Sequence, residues 1–341
     1  MKVSISKRGA ILLGNSVACD AFEDTCPLRV VTHAHADHLV GIKRSLKKCK
    51  KVLMTGATKE LIEVLKGPEI FNSGFIKKIE YGNSIVYDDE RITFLKANHI
   101  LGAAQVLVEN SNGNRVAYTG DFKLEGTLPI EDCDTLVIEA TYGSPSFRRS
   151  FDSDIRALLV SMIEKHLRNG KIYVFGYYGK LQEIMQILRN AHVYVPFVMS
   201  EKILQVSEVC KRHGMNLGDL TLDSDKYGKE LLDKNLPCIA FYHMNKRKSI
   251  GLSSFRICVS GWEFRFPSRQ IGYNEHLVAL SDHSDFDELV KYIQLSKPKR
   301  VITDNYRVKH GNILAKEITK RLGIPAKAMP KREYKYQKRL L

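Results

Sequence analysis

Short apolar runs, broken by glycine, proline and polar clusters, recur through the first third of the chain. Residues 30–32, 52–55, 92–96, 105–109, 116–119 and 135–139 are β-branched or alternate in polarity, and the pattern predicts strands. Residues 57–65 predict a helix that stops at Gly67-Pro68. Asn112-Gly113, between two of the strands, predicts a hairpin turn. The period then changes. Ile155, Leu158, Leu159, Met162 and Ile163 recur at helical spacing, predicting a helix over 152–168 that Gly170 closes. Strand and helix alternate from there: strand 172–175, helix 179–189, strand 193–195, helix 201–211 and strand 237–242. Such alternation predicts a parallel sheet. Past Gly261-Trp262 the earlier character returns, with strand 277–280, helix 285–295, strand 300–303 and helix 311–322. The expected organisation is a first α/β domain over 1–144, an α/β domain inserted over 145–260, the rest of the first domain over 261–330, and a basic, tyrosine-bearing tail over 331–341.

Length and charge narrow the picture. At 341 residues the chain has room for one large domain or two. Its net charge of +15 is spread along the chain, which favours a polyanionic partner: nucleic acid first, an anionic membrane surface second. Seven cysteines with no C-x-x-C pair exclude a disulfide framework and a zinc ribbon. They suit a reducing cytosol, so no disulfide partner and a cytoplasmic setting are expected. No apolar run is long enough to span a bilayer, and Met1-Lys2-Val3-Ser4-Ile5 opens no signal-type stretch, so no membrane partner is expected.

The stretch Val30-Val31-Thr32-His33-Ala34-His35-Ala36-Asp37-His38 changes the picture most. Three histidines and an aspartate fall within six residues, directly after a predicted buried strand. Their nitrogen and oxygen atoms suit Zn²⁺, Mn²⁺ or iron. His33 and His35 are two apart, so in extended backbone both face one side. Asp37 and His38 follow where the chain turns and can aim at a second point. One loop can therefore serve two metals roughly 3.5–4 Å apart, the spacing of two-metal hydrolases. The competing reading, a histidine-rich surface loop, fits poorly with an apolar strand and alanine spacers. His99 also stands just after a predicted strand, before a glycine-bearing turn. Alone it reads as a satisfied loop residue; beside the first loop it becomes a third nitrogen ligand. Asp121 follows Gly120 at the end of another predicted strand. It reads either as a turn-forming aspartate or as a carboxylate able to bridge two metals.

The spacing H-x-H-x-D-H resembles the metallo-β-lactamase superfamily, whose αββα sandwich carries a dinuclear metal site on one edge. The A-x-H-x-x-G-x-A-Q pattern around His99 and the Y-T-G-D ending at Asp121 are similar to that superfamily's third and fourth metal motifs, which implies that both are ligands. Asp20 stands where the superfamily places an aspartate that orients the metal loop. Glu139-Ala140-Thr141-Tyr142-Gly143 resembles the E-x-T-x-G motif of the β-CASP nucleases, and Gly179-Lys180-Leu181-Gln182-Glu183 the G-[KR]-x-Q-E helix start of their inserted domain. Ser260-Gly261-Trp262 and Leu280-Ser281-Asp282-His283-Ser284-Asp285 resemble their return segment and histidine motif. The resemblance covers most of the chain in the family's order. It lies nearest to exonucleases of the DNA-ligase-associated and mRNA 3′-end-processing-like groups, with Artemis-type nucleases similar there too. In one respect the chain departs. RNA-processing members carry a further metal-binding histidine in a V-H-G-E pattern, whereas here residues 299–303 run into Asp304-Asn305. The DNA-acting branch also lacks that histidine. Asp304 becomes a candidate ligand of the second metal, Asn305 and His310 are alternatives, and the second site is expected to be the weaker.

The resemblance implies an α/β fold: an αββα sandwich with an inserted α/β β-CASP domain. It implies two divalent metal ions, zinc first and manganese second. It implies hydrolysis of phosphodiester bonds in single-stranded DNA or RNA, by an exonuclease with DNA slightly favoured and RNA processing as the runner-up. In that chemistry Asp37 holds a metal and the attacking water, His283 gives a proton to the leaving oxygen, and Glu139 orients His283. Lys180, Arg148 and Arg149 are candidates for backbone-phosphate contacts or, equally, for a solvated basic face. Tyr177, Tyr178, Trp262 and Phe264 could stack bases, although Trp262 fits better as packing at a domain junction. The tail either grips phosphates or is a loose charged terminus. Two other classes compete. A lactonase- or thioesterase-like hydrolase of the same fold needs neither the basic charge nor the inserted domain. A nucleic-acid-binding protein with a dead site would have lost ligands, yet His33, His35, Asp37, His38, His99 and Asp121 are all present.

Overall fold

Three strands of three residues each open the chain, β1 (Val3–Ile5), β2 (Ile11–Leu13) and β3 (Val17–Cys19), paired antiparallel in order. They are too short to show a period in the sequence. β4 (Leu28–Val30), β5 (Lys51–Met54) and β6 (Ile76–Lys78) then add in parallel, and complete a sheet of order β1-β2-β3-β4-β5-β6. Helices α1 (Ile42–Lys48) and α2 (Gly56–Lys66) lie between these strands. A second run, β7 (Ser84–Tyr87), β8 (Glu90–Lys96), β9 (Ala104–Asn110) and β10 (Arg115–Tyr118), pairs antiparallel, and β11 (Thr135–Ile138) joins β10 in parallel. Asn112-Gly113 makes the expected turn between β9 and β10, with Gly113 at φ +76°. The computed structural model describes residues 1–71, 75–151, 154–251 and 253–331; the start of the expected helix at Asp152 and most of the expected basic tail lie outside them.

The chain divides into two compact units, one of residues 1–58, 71–147 and 283–341, the other of 59–70 and 148–282. The second unit holds a seven-stranded sheet of order β14-β13-β15-β12-β16-β18-β17. Its elements run α3 (Ile155–Leu167), β12 (Ile172–Gly176), α4 (Lys180–Asn190), β13 (Phe197–Met199), α5 (Glu201–Arg212), β14 (Leu220–Leu222), α6 (Lys226–Asp233), β15 (Ile239–His243), β16 (Phe255–Val259), β17 (Ser268–Gly272) and β18 (Glu275–Val278). All its strand pairs are parallel except β17 with β18. Helix α4 shows how sequence makes such an element. Leu181, Ile184, Met185 and Leu188 bury one face at steps of three and four. At its start the Gly179 amide donates to the Gln182 side-chain oxygen at 2.8 Å, satisfying an end that helical hydrogen bonds leave open.

Two expectations fail in this unit. The strand expected at 193–195 starts instead at Phe197. The Arg189 guanidinium takes the carbonyls of Val193 and Val195 at 2.6 and 3.0 Å, so these groups need no ladder partner. The insertion was also expected to close at residue 260. β16 is instead followed by β17 and β18, which add to the same sheet, and the unit runs on to Asp282. The strand expected at 277–280 is therefore β18, in the second unit's sheet.

After Asp282 come α7 (Phe286–Ser296), β19 (Val301–Asp304), α8 (Gly311–Leu322) and β20 (Ala326–Met329). The two strands extend the first unit's second sheet to β20-β19-β11-β10-β9-β8-β7. Asp285 caps α7 through a reciprocal pair of 3.0 Å bonds with Glu288, a box whose loss costs about 1 kcal/mol. One apolar layer joins the unit's two sheets: Leu13, Val17 and Leu53 from the first meet Phe94, Val106, Val116 and Ile302 from the second. Each such fully buried side chain contributes about 1.5–3 kcal/mol over exposure. The opposite face of the second sheet packs Leu107, Ala117 and Leu136 against Phe286, Leu289 and Ile293 of α7 and Leu314 and Ile318 of α8. The fold is thus mixed α/β, as expected. No helix among the described residues is long and apolar enough to cross a membrane.

Candidate metal centre

The loop after β4 is clamped from below. Asp20, just after β3, sits at φ +61°, a left-handed conformation that aspartate tolerates. Its carboxylate is fully buried and accepts the Thr32 amide at 2.8 Å and the Thr32 hydroxyl at 2.7 Å. The same group bonds His38 Nδ1 at 2.8 Å, so one side chain holds both ends of the loop. Burial opposes its charge, but His38, Arg307 and Arg29 bring the Asp20 carboxyl below its ordinary value. Arg29 was missed from the sequence. It is fully buried and its Nη2 donates to the His38 carbonyl at 2.9 Å. The only signal was a charged residue inside the apolar run Leu28-Arg29-Val30-Val31.

Residues 36–38 form a 3₁₀ turn that faces His38 inward, while the Asp37 side chain is 63% exposed. Asp37 Oδ2 stands 3.4 Å from His38 Nε2. His99 follows β8, and its Nε2 lies 3.1 Å from His35 Nδ1. Asp121 follows β10 across Gly120, where φ is +59° and a Cβ would stand 2.8 Å from the Ala104 carbonyl, so only glycine fits. Asp121 Oδ2 reaches within 3.2 Å of His38 Nε2 and 3.8 Å of His33 Nε2.

The potential ligand atoms fall into three overlapping clusters, His33–His35–His99, His33–His38–Asp121 and His99–Asp121–His283, each within 4.8 Å. Nε2 of His33 and Nε2 of His38 are buried with no hydrogen-bond partner. Two orphaned imidazole nitrogens aimed at a carboxylate are expensive unless something binds them, and a divalent cation fits the set of nitrogen and oxygen donors. Burial pushes the His33 imidazole well below its ordinary range, leaving it neutral as a ligand must be. Burial alone would push the Asp121 carboxyl up, but His38, His283 and His33 around it bring it well below the usual carboxylate range.

Beside the clusters, His283 Nδ1 bonds Glu139 Oε2 at 3.0 Å, and Glu139 Oε1 accepts the Phe122 amide at 2.7 Å. Burial raises the Glu139 carboxyl, with His283 opposing. His35, Asp37, Asp121, Glu139, Thr141 and His283 line one cleft, which Asp304 and Arg307 close. Asp304 is otherwise engaged. Its Oδ1 accepts the Tyr306 amide at 2.7 Å and its Oδ2 accepts Arg307 Nη1 at 2.7 Å, with both side chains buried. It belongs to none of the clusters among the described residues. Neither alternative does: Asn305 donates to the Pro330 carbonyl at 3.2 Å, and the His310 ring packs on Phe147 at 4.7 Å.

The expected phosphate-binding residues also stand differently. Lys180 is 6% exposed, and its Nζ meets Glu183 at 2.7 Å and Asp282 at 3.7 Å. The Arg149 guanidinium stacks over Phe264 at 5.3 Å and donates to the Gly261 carbonyl at 3.3 Å. Arg148 is half-buried beside it in sequence. Trp262, expected as packing, is 56% exposed. All seven cysteines are buried and unpaired.

No family model matches the chain. A 138-residue stretch, 40% of the chain, is 43% identical to an uncharacterised protein in the lig 3′ region of Acidianus ambivalens, over 99% of that protein. DNA ligase 6 of Arabidopsis thaliana is 25% identical over 303 residues, 80% of this chain but 21% of that protein. The RNase J-like protein of Methanocaldococcus jannaschii is 28% identical over 183 residues, 47% of this chain and 43% of that protein. The chain thus spans well under half the length of these two larger relatives. In fold it is similar to a protein of unknown function from Enterococcus faecalis, with a TM-score of 0.61 and 14% identity, over 89% of this chain and 79% of that one. The histidine–aspartate clusters and the Glu139–His283 pair thus stand in a chain that is similar to an RNase J-like protein over about half its length and to a DNA ligase over four fifths of it.

Proposed function

We propose that this protein is a metal-dependent nuclease that hydrolyses phosphodiester bonds of single-stranded nucleic acid from an end, with DNA slightly ahead of RNA. The observation that carries the reading is the convergence of all three ligand clusters and the Glu139–His283 pair on one cleft. The second unit takes the place of the inserted β-CASP domain, and the net charge of +15 suits a polyanionic substrate. The lean to DNA rests on Asp304-Asn305, where RNA-processing members carry a histidine. RNA processing is the alternative that the RNase J-like relative supports. Seven unpaired cysteines support a cytoplasmic setting.

His33, His35 and His99 would hold one divalent ion and His38 and Asp37 the second, with Asp121 reaching both; zinc suits the set first and manganese second. Such ions lower the pKa of water and offset charge on the reacting phosphate. This chain's residues do the rest. Asp37, exposed at the cleft, accepts a proton from the attacking water and orients it. Glu139 fixes the ring of His283 by accepting from Nδ1, which leaves Nε2 to protonate the leaving oxygen. Asp304 is paired with Arg307, so fewer side chains would hold the second ion, which would be the weaker one.

A cleavage assay tests the reading. Metal-replete protein is given matched single-stranded DNA and RNA oligonucleotides labelled at either end, with Asp37→Ala as control. A ladder shrinking from one end on DNA, absent in the variant, is the expected result. The same ladder on RNA alone would move the protein to RNA processing. Uncut strands of both kinds, from protein that holds metal, would overturn the nuclease reading in favour of a small-molecule hydrolase.

A further inference from the structure

The sheet of the second unit presents the carboxyl ends of its parallel strands along one edge. From β12 the chain crosses to β13 on one side, and from β15 it crosses to β16 on the other. Right-handed crossovers place these connections on opposite faces, which opens the edge between β12 and β15. Aromatic side chains collect there. Gly176 pairs with His243 in the ladder, so Tyr177 and Tyr178 leave β12 beside the ring that ends β15. The His243 ring lies 5.2 Å from Tyr177, nearly perpendicular, and 4.9 Å from Tyr178. Tyr177 is 59% exposed, a large apolar ring for which the unit's own core has no use. His243 is held in place, because its Nδ1 accepts the Asn245 amide at 3.3 Å.

The loop after His243 is Met244-Asn245-Lys246-Arg247-Lys248. Arg256, 2% exposed, braces it from beneath by donating to the carbonyls of Arg247, Ile250 and Gly251. Arg247 turns its own guanidinium onto Glu275 at 2.7 Å. Lys246 and Lys248 are exposed. A fixed loop thus carries two solvent-facing cations next to a fixed aromatic group. Aromatic faces beside lysines match the two repeating parts of a single strand, a stackable base and a phosphate; a duplex hides its base faces and cannot use the rings.

We propose that Tyr177, Tyr178 and His243, flanked by Lys246 and Lys248, form a subsite on the second unit that stacks one or two unpaired bases of a single strand and holds its phosphates. This inference rests on the nucleic-acid reading above and adds where unpaired bases are gripped. The test is a fluorescence-anisotropy titration of a labelled 12-nucleotide single strand with the full chain carrying Asp37→Ala, at several salt concentrations. Adding Tyr177→Ala should weaken binding about tenfold to a hundredfold with the salt slope unchanged, while Tyr177→Phe leaves affinity as it was. Adding Lys246→Ala and Lys248→Ala should flatten the slope of log affinity against log salt by about 1.4, or ~0.7 for each phosphate that a lysine no longer neutralises. A strand with abasic positions should bind the parent and the Tyr177→Ala protein equally. Unchanged affinity in Tyr177→Ala, or an unchanged salt slope in the double lysine variant, would overturn the subsite while leaving the nuclease reading intact. If the parent protein binds no strand at all, both fall together.

Discussion

Replacing Asp20 by asparagine tests the metal centre without touching any ligand. Asp20 Oδ2 lies 2.8 Å from His38 Nδ1, and Oδ1 accepts the Thr32 amide at 2.8 Å. A carboxylate there makes Nδ1 the protonated nitrogen and leaves the Nε2 lone pair free to ligate. Asparagine keeps an oxygen for the Thr32 amide but turns an NH₂ toward His38. The ring then accepts at Nδ1 and carries its proton on Nε2, the atom that should bind metal. Loss of such a supporting partner costs about 10–100-fold in metal affinity, or ~1.4–2.8 kcal/mol at 1.4 kcal/mol per tenfold. The loss should fall more on the His33–His38–Asp121 cluster, whose His38 bonds Asp20, than on His33–His35–His99. The assay is a zinc titration in competition with a chromophoric chelator, reading stoichiometry and both affinities. Two equivalents bound at parental affinity by Asp20→Asn would refute the reasoning, as would an equal loss at both sites.

Further consequences concern the proton donor, the core and acid stability. Glu139→Gln keeps an oxygen for the Phe122 amide but removes the charge that His283 Nδ1 meets at 3.0 Å; single-turnover cleavage of an oligonucleotide should slow about 100-fold with zinc content unchanged. The buried Tyr292 hydroxyl donates to Gln105 Oε1 and accepts the Ile130 amide at 3.1 Å, so Tyr292→Phe strands two polar groups. It should cost about 1–3 kcal/mol, read as a lower denaturant midpoint at constant slope. Hydrogen bonding from Arg247, then the charge of Arg256, holds the Glu275 carboxyl below its ordinary value against burial. A depressed folded value means the stabilisation is complete above the unfolded pKa of ~4.3 and fades as pH falls through the folded one. Glu275→Gln leaves the buried Arg256 uncompensated and should cost about 3–5 kcal/mol at pH 7; in thermal melts the gap from the parent should close below ~pH 4.

Much of the fold and of the site was legible because it is local. His33 to His38 span six residues and end in the turn Ala36–His38, so spacing and strand-end placement mark them as candidate ligands. The α7 cap is a four-residue pattern, Asp285 to Glu288, and the β9–β10 hairpin turns on a single dipeptide. Strand and helix periods repeat within a dozen residues, which is enough to place most elements. What the pattern left open was decided by contacts that only folding makes. Asp304 pairs with Arg307, three residues on, and Lys180 meets Asp282, about a hundred residues later. The 193–195 segment has a strand's composition, yet Arg189 satisfies its carbonyls. Trp262 looks like packing until its surroundings leave it 56% exposed. Local sequence encodes periodicity, turn chemistry and short ligand spacings, since these depend on backbone geometry over a few residues. Which charges neutralise one another, and which rings remain exposed, depends on distances that exist only once the sheets have closed on their cores.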